Sequence, residues 1–224
     1  MLIAAHHSMF GGAEKAQYVG VTLTGTSVTL TNGVLSNFAN DSYAMLPIVF
    51  SSMNKPWEAV SRFVVTSLTG TVYNGALYGG VGTFNGWTPM YLSGTAGGRP
   101  YISAFLNGIG WAVVWDSSDY TSISTLAGAV YELNTEKLIK TAWDGYTYTM
   151  SEVNGNNWRV SARKTSSTPV SGLDLPIQMG TNRGQSYPLR GSIDLNYCYI
   201  RYDGKLLWEG VAGAYQNVKR LVAR

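Results

Sequence analysis

The chain has 224 residues and a formal net charge of +3, and only 13% of its residues are charged, whereas it contains 26 glycines and 15 tyrosines. Low charge with many glycines and tyrosines favours a β-rich domain with a neutral, aromatic surface over a helical enzyme. The lysines and arginines are spread thinly, and the C-terminal group of Lys219, Arg220 and Arg224 fits a solvated tail. The composition therefore predicts no nucleic-acid partner, because phosphate binding needs a basic groove.

The single cysteine, Cys198, excludes an internal disulfide and a cysteine metal cluster, and its position beside Ile200 predicts a buried thiol. No apolar run reaches the roughly eighteen residues of a membrane span, and the first five residues are too short for a signal-peptide core. We expect a protein made in a cytoplasm, with no membrane insertion. The adjacent His6 and His7 lack a third ligand nearby, so we expect no metal site, and no motif predicts a cofactor.

The first 17 residues show no sustained period and contain a double-glycine break. Apolar residues such as Leu2, Ile3 and Phe10 are unusual for a disordered tail. We interpret residues 1–17 as an arm that docks on a partner, with a frayed terminus as the alternative.

Residues 18–50 contain short apolar runs separated by turn residues, which is typical of a sandwich or a barrel. The clearest long strand runs from Trp57 to Thr66. Its alternation places Val60 and Arg62 on one face and Ala59 and Phe63 on the other. Further along, residues 83–89 read as a loop around a tryptophan, and residues 101–116 predict a hairpin around Asn107-Gly108.

Residues 137–164 form the strongest local pattern, three strands joined by turns at Asp144-Gly145 and at residues 154–157. A helix competes only in the stretch just before it, where Asn134-Thr135 favours a turn into a strand. The aromatic residues of this meander are best interpreted as cross-strand pairs that stabilise the sheet. They are Trp143, Tyr146, Tyr148 and Trp158.

After the meander, residues 165–173 read as a loop and residues 177–180 as a short strand. Residues 191–210 then read GSIDLNYCYIRYDGKLLWEG. The apolar residues before and after Asn196-Tyr197 are out of phase by one position, which predicts a bulge or a corner. Asp203-Gly204 predicts a two-residue hairpin turn. Residues 211–224 have apolar residues near helical spacing, so they form either an amphipathic helix or a second docking tail.

The closing hairpin resembles that of the concanavalin A-like (laminin G-like) domains of bacteriophage tail and head-fibre proteins. Two earlier stretches resemble the same family in the same order, Lys55–Val60 (KPWEAV) at its first long strand and Leu138–Tyr148 (LIKTAWDGYTY) at its central hairpin. The match spans roughly Val19 to Gly210. It implies an all-β fold, a concanavalin A-like antiparallel β-sandwich (jelly roll) at residues 18–210, between an N-terminal docking arm (1–17) and a C-terminal tail (211–224).

The resemblance also implies a phage virion protein with a lectin-like domain, displayed on a tail or head fibre, that binds host surface polysaccharide. It implies homo-oligomers that contact other virion proteins through the terminal arms. The alternative is a capsid or tail decoration protein without a glycan site. We expect no enzyme, because the paired-carboxylate E-x-D-x-x-E strand of glucanases with this fold is absent and both histidines lie in the N-terminal segment.

Sugar binding needs an exposed aromatic ring beside amide or carboxylate groups. Three predicted loops offer such groups, and an ordinary surface loop is the alternative for each. The candidate ligand-binding clusters are Asn85 with Trp87, Asp116 with Asp119 and Tyr120, and Arg183 with Tyr187. Two aspartates supply fewer oxygens than calcium takes, so we expect no calcium at the second cluster.

Overall fold

The computed structural model describes residues 15–67, 73–80, 87–96, 99–106, 110–114, 132–181 and 187–223. Within these residues the chain forms sixteen strands and one helix. In chain order they are β1 Tyr18–Val19, β2 Thr22–Thr24, β3 Thr29–Thr31, β4 Val34–Ser36, β5 Tyr43–Met53, β6 Trp57–Val65, β7 Tyr73–Gly80, β8 Trp87–Ala96, β9 Arg99–Leu106, β10 Gly110–Val114, β11 Glu136–Trp143, β12 Thr147–Asn154, β13 Asn157–Thr165, β14 Val170–Met179, β15 Gly191–Tyr202, β16 Lys205–Glu209 and the helix α1 Ala214–Val222.

The strands form two sheets that pack face to face. The nine-stranded sheet has the order β1-β16-β15-β6-β11-β12-β13, with β4 also paired to β15 and β3 paired to β4. The seven-stranded sheet has the order β10-β9-β8-β7-β14-β5-β2. The short β1 runs parallel to β16, and the other described ladders are antiparallel. The predicted all-β antiparallel sandwich is confirmed, with this one parallel pair added.

Four aromatic rings connect the two sheets through the core. Trp57 of β6 meets Trp87 of β8 edge to face, with ring centroids 5.3 Å apart. Trp87 lies 6.2 Å from Tyr78 of β7, and Tyr78 meets Trp208 of β16 edge to face at 6.0 Å. Such pairs add specific geometry to the burial of large apolar surfaces. These ring contacts help to hold one sheet in position against the other.

The outer face of the nine-stranded sheet, which points away from the other sheet, carries a second apolar cluster. Val60, Tyr199 and Leu206 pack there against Val218 of α1. The ring of Tyr215, also on α1, meets Tyr199 edge to face at 4.9 Å. The helix therefore covers part of this face. Of the helices in the described residues, none has the length and apolar character needed to cross a membrane.

The closing hairpin has the features that the sequence predicts. The pairing of β15 with β6 shifts register between Asp194 and Tyr199, so the predicted bulge is confirmed. Asp203 and Gly204 have φ angles of 51° and 72°, as a tight two-residue hairpin turn requires. Within the bulged strand, Cys198 is a free, buried thiol, and burial raises its pKa to about 11.

Glu209, the last residue of β16, connects three elements. Its carboxylate accepts hydrogen bonds from the backbone N–H groups of Gly213 at 3.0 Å and Tyr215 at 3.2 Å, at the start of α1. Its backbone oxygen accepts one from the N–H of Gly20 at 3.0 Å. The first N–H groups of a helix have no partner inside the helix. A buried carboxylate at this position therefore satisfies them and holds the helix against the sheet.

The meander and the two hairpins of the sequence analysis are confirmed, but two assignments are wrong. Trp87, which the sequence places in a loop, is the first residue of β8 and is 2% exposed. The predicted loop at 165–173 contains the start of β14, because Val170 pairs with Met53 of β5 and is fully buried. Turn residues flank both positions, and long-range pairing overrides that local signal. Most of the predicted N-terminal arm, residues 1–14, lies outside the described residues.

Replacing the Glu209 carboxylate should weaken the attachment of α1. We expect Glu209→Ala to lower the free energy of unfolding by about 1–2 kcal/mol, because two helix N–H groups lose their acceptor. Urea unfolding measures the change. Glu132→Ala, which removes an exposed glutamate before β11, is the control and should change stability by less than about 0.5 kcal/mol. Equal stabilities of the two variants would contradict the capping role.

Candidate functional site

A row of four side chains crosses the outer face of the nine-stranded sheet. Arg62 of β6 lies opposite Leu138 of β11, and Val153 of β12 lies opposite Trp158 of β13. Leu138, Val153 and Trp158 belong to the same apolar cluster. Because opposite residues of neighbouring strands share a face, the four side chains form one continuous strip, which we call the outer row.

A groove of about 220 Å³ lies between the outer row and the end of α1. Its apolar part comes from Leu138 and Val153 and from Leu221 in the last turn of the helix, and its polar part includes Arg62 and Glu136. Lys137 and Glu152 also line it. Pockets for drug-sized ligands usually measure about 300–1,000 Å³, so this groove suits a single small chemical unit.

Arg62 forms the charged end of the outer row. Its guanidinium donates to the Glu136 carboxylate, lies 3.7 Å from Asp194 and stacks 4.1 Å from the ring centroid of Tyr197. Burial lowers the pKa of Arg62, but the hydrogen bond to Glu136 and the nearby charges outweigh it and raise the pKa overall. The result is a fixed cation with an aromatic ring on one side and carboxylates on the other.

Lys140 and Trp158 form the opposite end. Lys140 of β11 lies opposite Val60 and Ser151, so it points to the same outer face. Its Nζ lies 4.6 Å from the ring centroid of Trp158. Burial lowers the pKa of Lys140, and the charge of Glu58 acts in the opposite direction. A partly exposed ring and a partly desolvated cation thus lie together.

Glu58 is the carboxylate whose charge acts on Lys140, and it already has other partners. One of its oxygens lies 3.6 Å from the guanidinium of Arg201. Burial, together with the charge and hydrogen bond of Glu58, raises the pKa of the Tyr199 hydroxyl. Tyr199 is therefore a neutral hydrogen-bond donor beneath the helix.

Two of the candidate residues of the sequence analysis, Trp87 and Tyr187, lie within the described structure. Trp87 packs in the core against Trp57, so its ring offers no free face to a sugar. Tyr187 is half-buried after the last gap in the chain. The other candidates lie outside the described residues, and their role stays a prediction. These are Asn85, Asp116, Asp119, Tyr120 and Arg183. Among the described residues, no group of three or more His, Cys, Asp or Glu side chains is placed to hold a metal ion.

The sequence pattern does not predict the outer row. It predicts that the meander aromatics stabilise the sheet as cross-strand pairs, and the rings of Trp143 and Tyr148 do stack, 5.6 Å apart at an interplanar angle of 16°. Trp158 instead turns to the outer face, next to Lys140. The sequence contains part of the information needed to predict the outer row, because the alternation of side chains along each strand shows which residues share a face. Only the register across four strands brings the residues into one row.

No protein-family model matches the chain, and no curated protein sequence matches it. Among solved structures, it is similar to domain 4 of AbnA, a GH43 extracellular arabinanase from Geobacillus stearothermophilus in complex with arabinotriose. The two are 16% identical, with a TM-score of 0.51, over 90% of this chain and 87% of that one. The chain therefore has the fold of a two-sheet β-sandwich. The concanavalin A-like architecture that the sequence predicts is thereby confirmed.

Two further solved structures resemble this β-sandwich less closely. The Ca²⁺/Man3GlcNAc-bound exoplasmic/lumenal domain of VIP36 is 14% identical, with a TM-score of 0.47, over 78% of this chain and 81% of that one. A Trypanosoma rangeli sialidase is 12% identical, with a TM-score of 0.48, over 90% of this chain but 29% of that one.

The ion pair between Arg62 and Glu136 should contribute measurably but weakly to stability. We expect a coupling of about 0.5–1 kcal/mol in a double-mutant cycle of Arg62→Met and Glu136→Gln, because the two side chains are 21% and 52% exposed. Urea unfolding of the four proteins measures it. The Arg159–Glu152 pair, whose arginine is 58% exposed, is the comparison and should couple less. A coupling of zero for Arg62 and Glu136 would contradict this prediction.

Proposed function

We propose that this chain is a carbohydrate-binding protein whose ligand site is the outer row and its groove. The observation that carries the proposal is the continuity of apolar and charged groups along this row. Val153 and the partly exposed ring of Trp158 form an apolar surface beside the buried Leu138, and Arg62 with Glu136 adds a donor and an acceptor at its end. The C–H faces of a sugar ring can pack on the apolar surface, and its hydroxyl groups can bond to the charged groups.

The size of the groove supports recognition of one sugar unit. At about 220 Å³ it is smaller than a pocket for an extended ligand. A unit seated between Leu138 and Leu221 would place its hydroxyl groups near Glu136, which accepts hydrogen bonds, and Arg62, which donates them. The neighbouring units of an oligosaccharide would lie along the row toward Trp158. The arabinanase domain was solved with arabinotriose, so a domain of this fold can hold a sugar chain.

We also propose that the site binds without hydrolysing its ligand. The two glutamates that line the groove, Glu136 and Glu152, each bond to a guanidinium, from Arg62 and Arg159 respectively. Glycoside hydrolysis uses a pair of carboxyl groups that flank the scissile bond. Both carboxylates of this groove are instead engaged by arginine side chains of the protein.

We further propose that the protein belongs to a phage virion, on a tail or head fibre, and that its ligand is a host surface polysaccharide. The support is the resemblance of three segments to phage fibre domains, Lys55–Val60, Leu138–Tyr148 and Gly191–Gly210. Under this proposal the protein is made in the host cytoplasm, forms homo-oligomers and contacts other virion proteins through its terminal segments.

One observation favours a decoration role as the second candidate. Ala16, near the start of the described chain, packs against the same outer-face cluster as α1, which ends at Val222. Both ends of the described chain therefore leave from the face that carries the groove. If the terminal segments anchor the protein, this face would point toward the particle and away from the host.

Binding to a glycan array tests the first candidate. We expect the purified protein to bind a defined set of glycans and Trp158→Leu to weaken that binding roughly three- to tenfold, because the stacking surface is lost. Tyr146→Leu is the matched control. It removes a 64% exposed aromatic ring from a turn outside the outer row, and should bind like the wild type. A blank array with folded protein, or equal binding by the two variants, would contradict the proposed site.

Incorporation into particles tests the second candidate. If the protein is a decoration protein, we expect deletion of residues 1–14 to reduce its copy number on purified particles, because an anchoring segment is removed. Quantitative mass spectrometry of particles from complemented phage measures this number. The same truncated protein on the glycan array is the control, and it should keep any sugar binding of the intact chain. Wild-type incorporation of the truncated protein would contradict anchoring through this segment.

A further inference from the structure

We infer that the sugar recognised at this site carries an acidic group, a carboxylate or a sulfate, and that Lys140 binds it; the inference rests on the proposed carbohydrate function. Lys140 is the cation at the Trp158 end of the outer row. Three observations support this role for Lys140, its direction, its charge balance and its solvation, and a physical argument about its contact with Trp158 adds to them.

The first observation is the direction of the side chain. Lys140 lies two residues after Leu138 on β11, so it points to the same face about 7 Å further along the strand. Its ammonium leans back toward Trp158, 4.6 Å from the ring centroid. A sugar ring that contacts Trp158 would therefore place its exocyclic groups within reach of the Lys140 ammonium.

The second observation is the charge balance of the surrounding groups. The nearby carboxylates are each bonded or ion-paired to a guanidinium, Glu136 to Arg62, Glu152 to Arg159 and Glu58 to Arg201. Lys140, in contrast, forms no ion pair within 4.0 Å among the residues that the structure describes, and the nearby charge that favours its charged form belongs to Glu58, which is already paired to Arg201. Its charge is therefore the one at this end of the row that an acidic ligand can neutralise without breaking an existing pair.

The third observation is the solvation of Lys140. The side chain is only partly exposed, and burial lowers its pKa from the ordinary lysine value. Partial desolvation penalises a charge that lacks a partner. An anionic group on the ligand would offset that penalty, whereas a hydroxyl group of a neutral sugar would do so much less. The site should therefore discriminate between acidic and neutral sugars of the same shape.

The additional argument is that a ligand can replace the contact between Lys140 and Trp158. A cation over an aromatic ring at a partly exposed position is a weak interaction, and the lysine stem is flexible. A charge-assisted hydrogen bond to a carboxylate or a sulfate is stronger than that contact. Binding would move the ammonium from the ring to the ligand, and the uncovered face of Trp158 would then be available for stacking.

Paired oligosaccharides that differ only in charge test this inference. The probes are uronic-acid oligomers, the same oligomers after reduction of their carboxyl groups, and sulfated counterparts of the reduced forms. We expect the intact protein to bind at least one acidic member roughly tenfold or more tightly than its neutral partner, as a charged hydrogen bond implies. The carboxylated and sulfated arms identify which acidic group is recognised. The preference should shrink at high salt, because exposed charges are screened.

Three variants assign the preference to one side chain. Lys140→Met removes the charge and should abolish the acidic preference, so that the acidic and neutral partners bind with equal affinity. Lys140→Arg keeps the charge and should retain most of the preference. Lys205→Met, which removes an exposed lysine next to the hairpin turn at Gly204, is the matched control and should behave like the wild type. Thermal unfolding checks that all variants are folded.

The outcomes separate this inference from the function on which it rests. Equal binding of acidic and neutral partners, or an acidic preference that survives in Lys140→Met, overturns the role of Lys140 and leaves carbohydrate binding intact. Binding of no probe and no array glycan by folded protein overturns the proposed function and the inference together. An acidic preference lost in Lys140→Met and kept in Lys205→Met supports both.

Discussion

The contact between the Glu209 carboxylate and the first N–H groups of α1 sets the arrangement of the whole outer face. It fixes the helix where the last strand ends, so that Val218 covers the apolar cluster around Val60 and Leu206. It also determines where Leu221, the helical side of the groove, lies. A buried carboxylate without these partners would be strongly unfavourable, so the strand and the helix hold each other in place. The candidate site thus depends on a residue that does not line it.

The same strands build the core with one face and the site with the other. In β6, Ala59 and Phe63 lie between the sheets while Val60 and Arg62 face outward. A shift of one residue would exchange these faces, so the chain must hold its register firmly. The bulge in β15 shows how it does so, because the extra residues let both halves of that strand bury their apolar side chains. The aromatic contacts between the sheets then secure the register from the inside.

Features carried by short, local patterns were predictable from the sequence. The alternation of apolar and polar residues predicts β6, and the turn residues predict the meander. The change of phase in the apolar pattern around Asn196 predicts the bulge. Trp87 was not predictable in this way, because its asparagine and glycine neighbours signal a loop while contact with Trp57, a distant residue, buries it in a strand. The outer row could not be predicted from the sequence for a related reason. Lys140 and Trp158 meet only when three strands are aligned in register, and no local pattern records that alignment.

The pairing of β1 with β16 has a consequence for how the protein is made. The indole N–H of Trp208 donates to the backbone oxygen of Gly20, a contact between residues 188 positions apart. A sheet edge built from segments this far apart in the sequence cannot close until β16 has left the ribosome. Such distant contacts also slow folding, since a very long loop must close before they form. The nascent chain therefore completes this edge late, and until β1 pairs with β16 the edge of β16 is open to pairing with another copy.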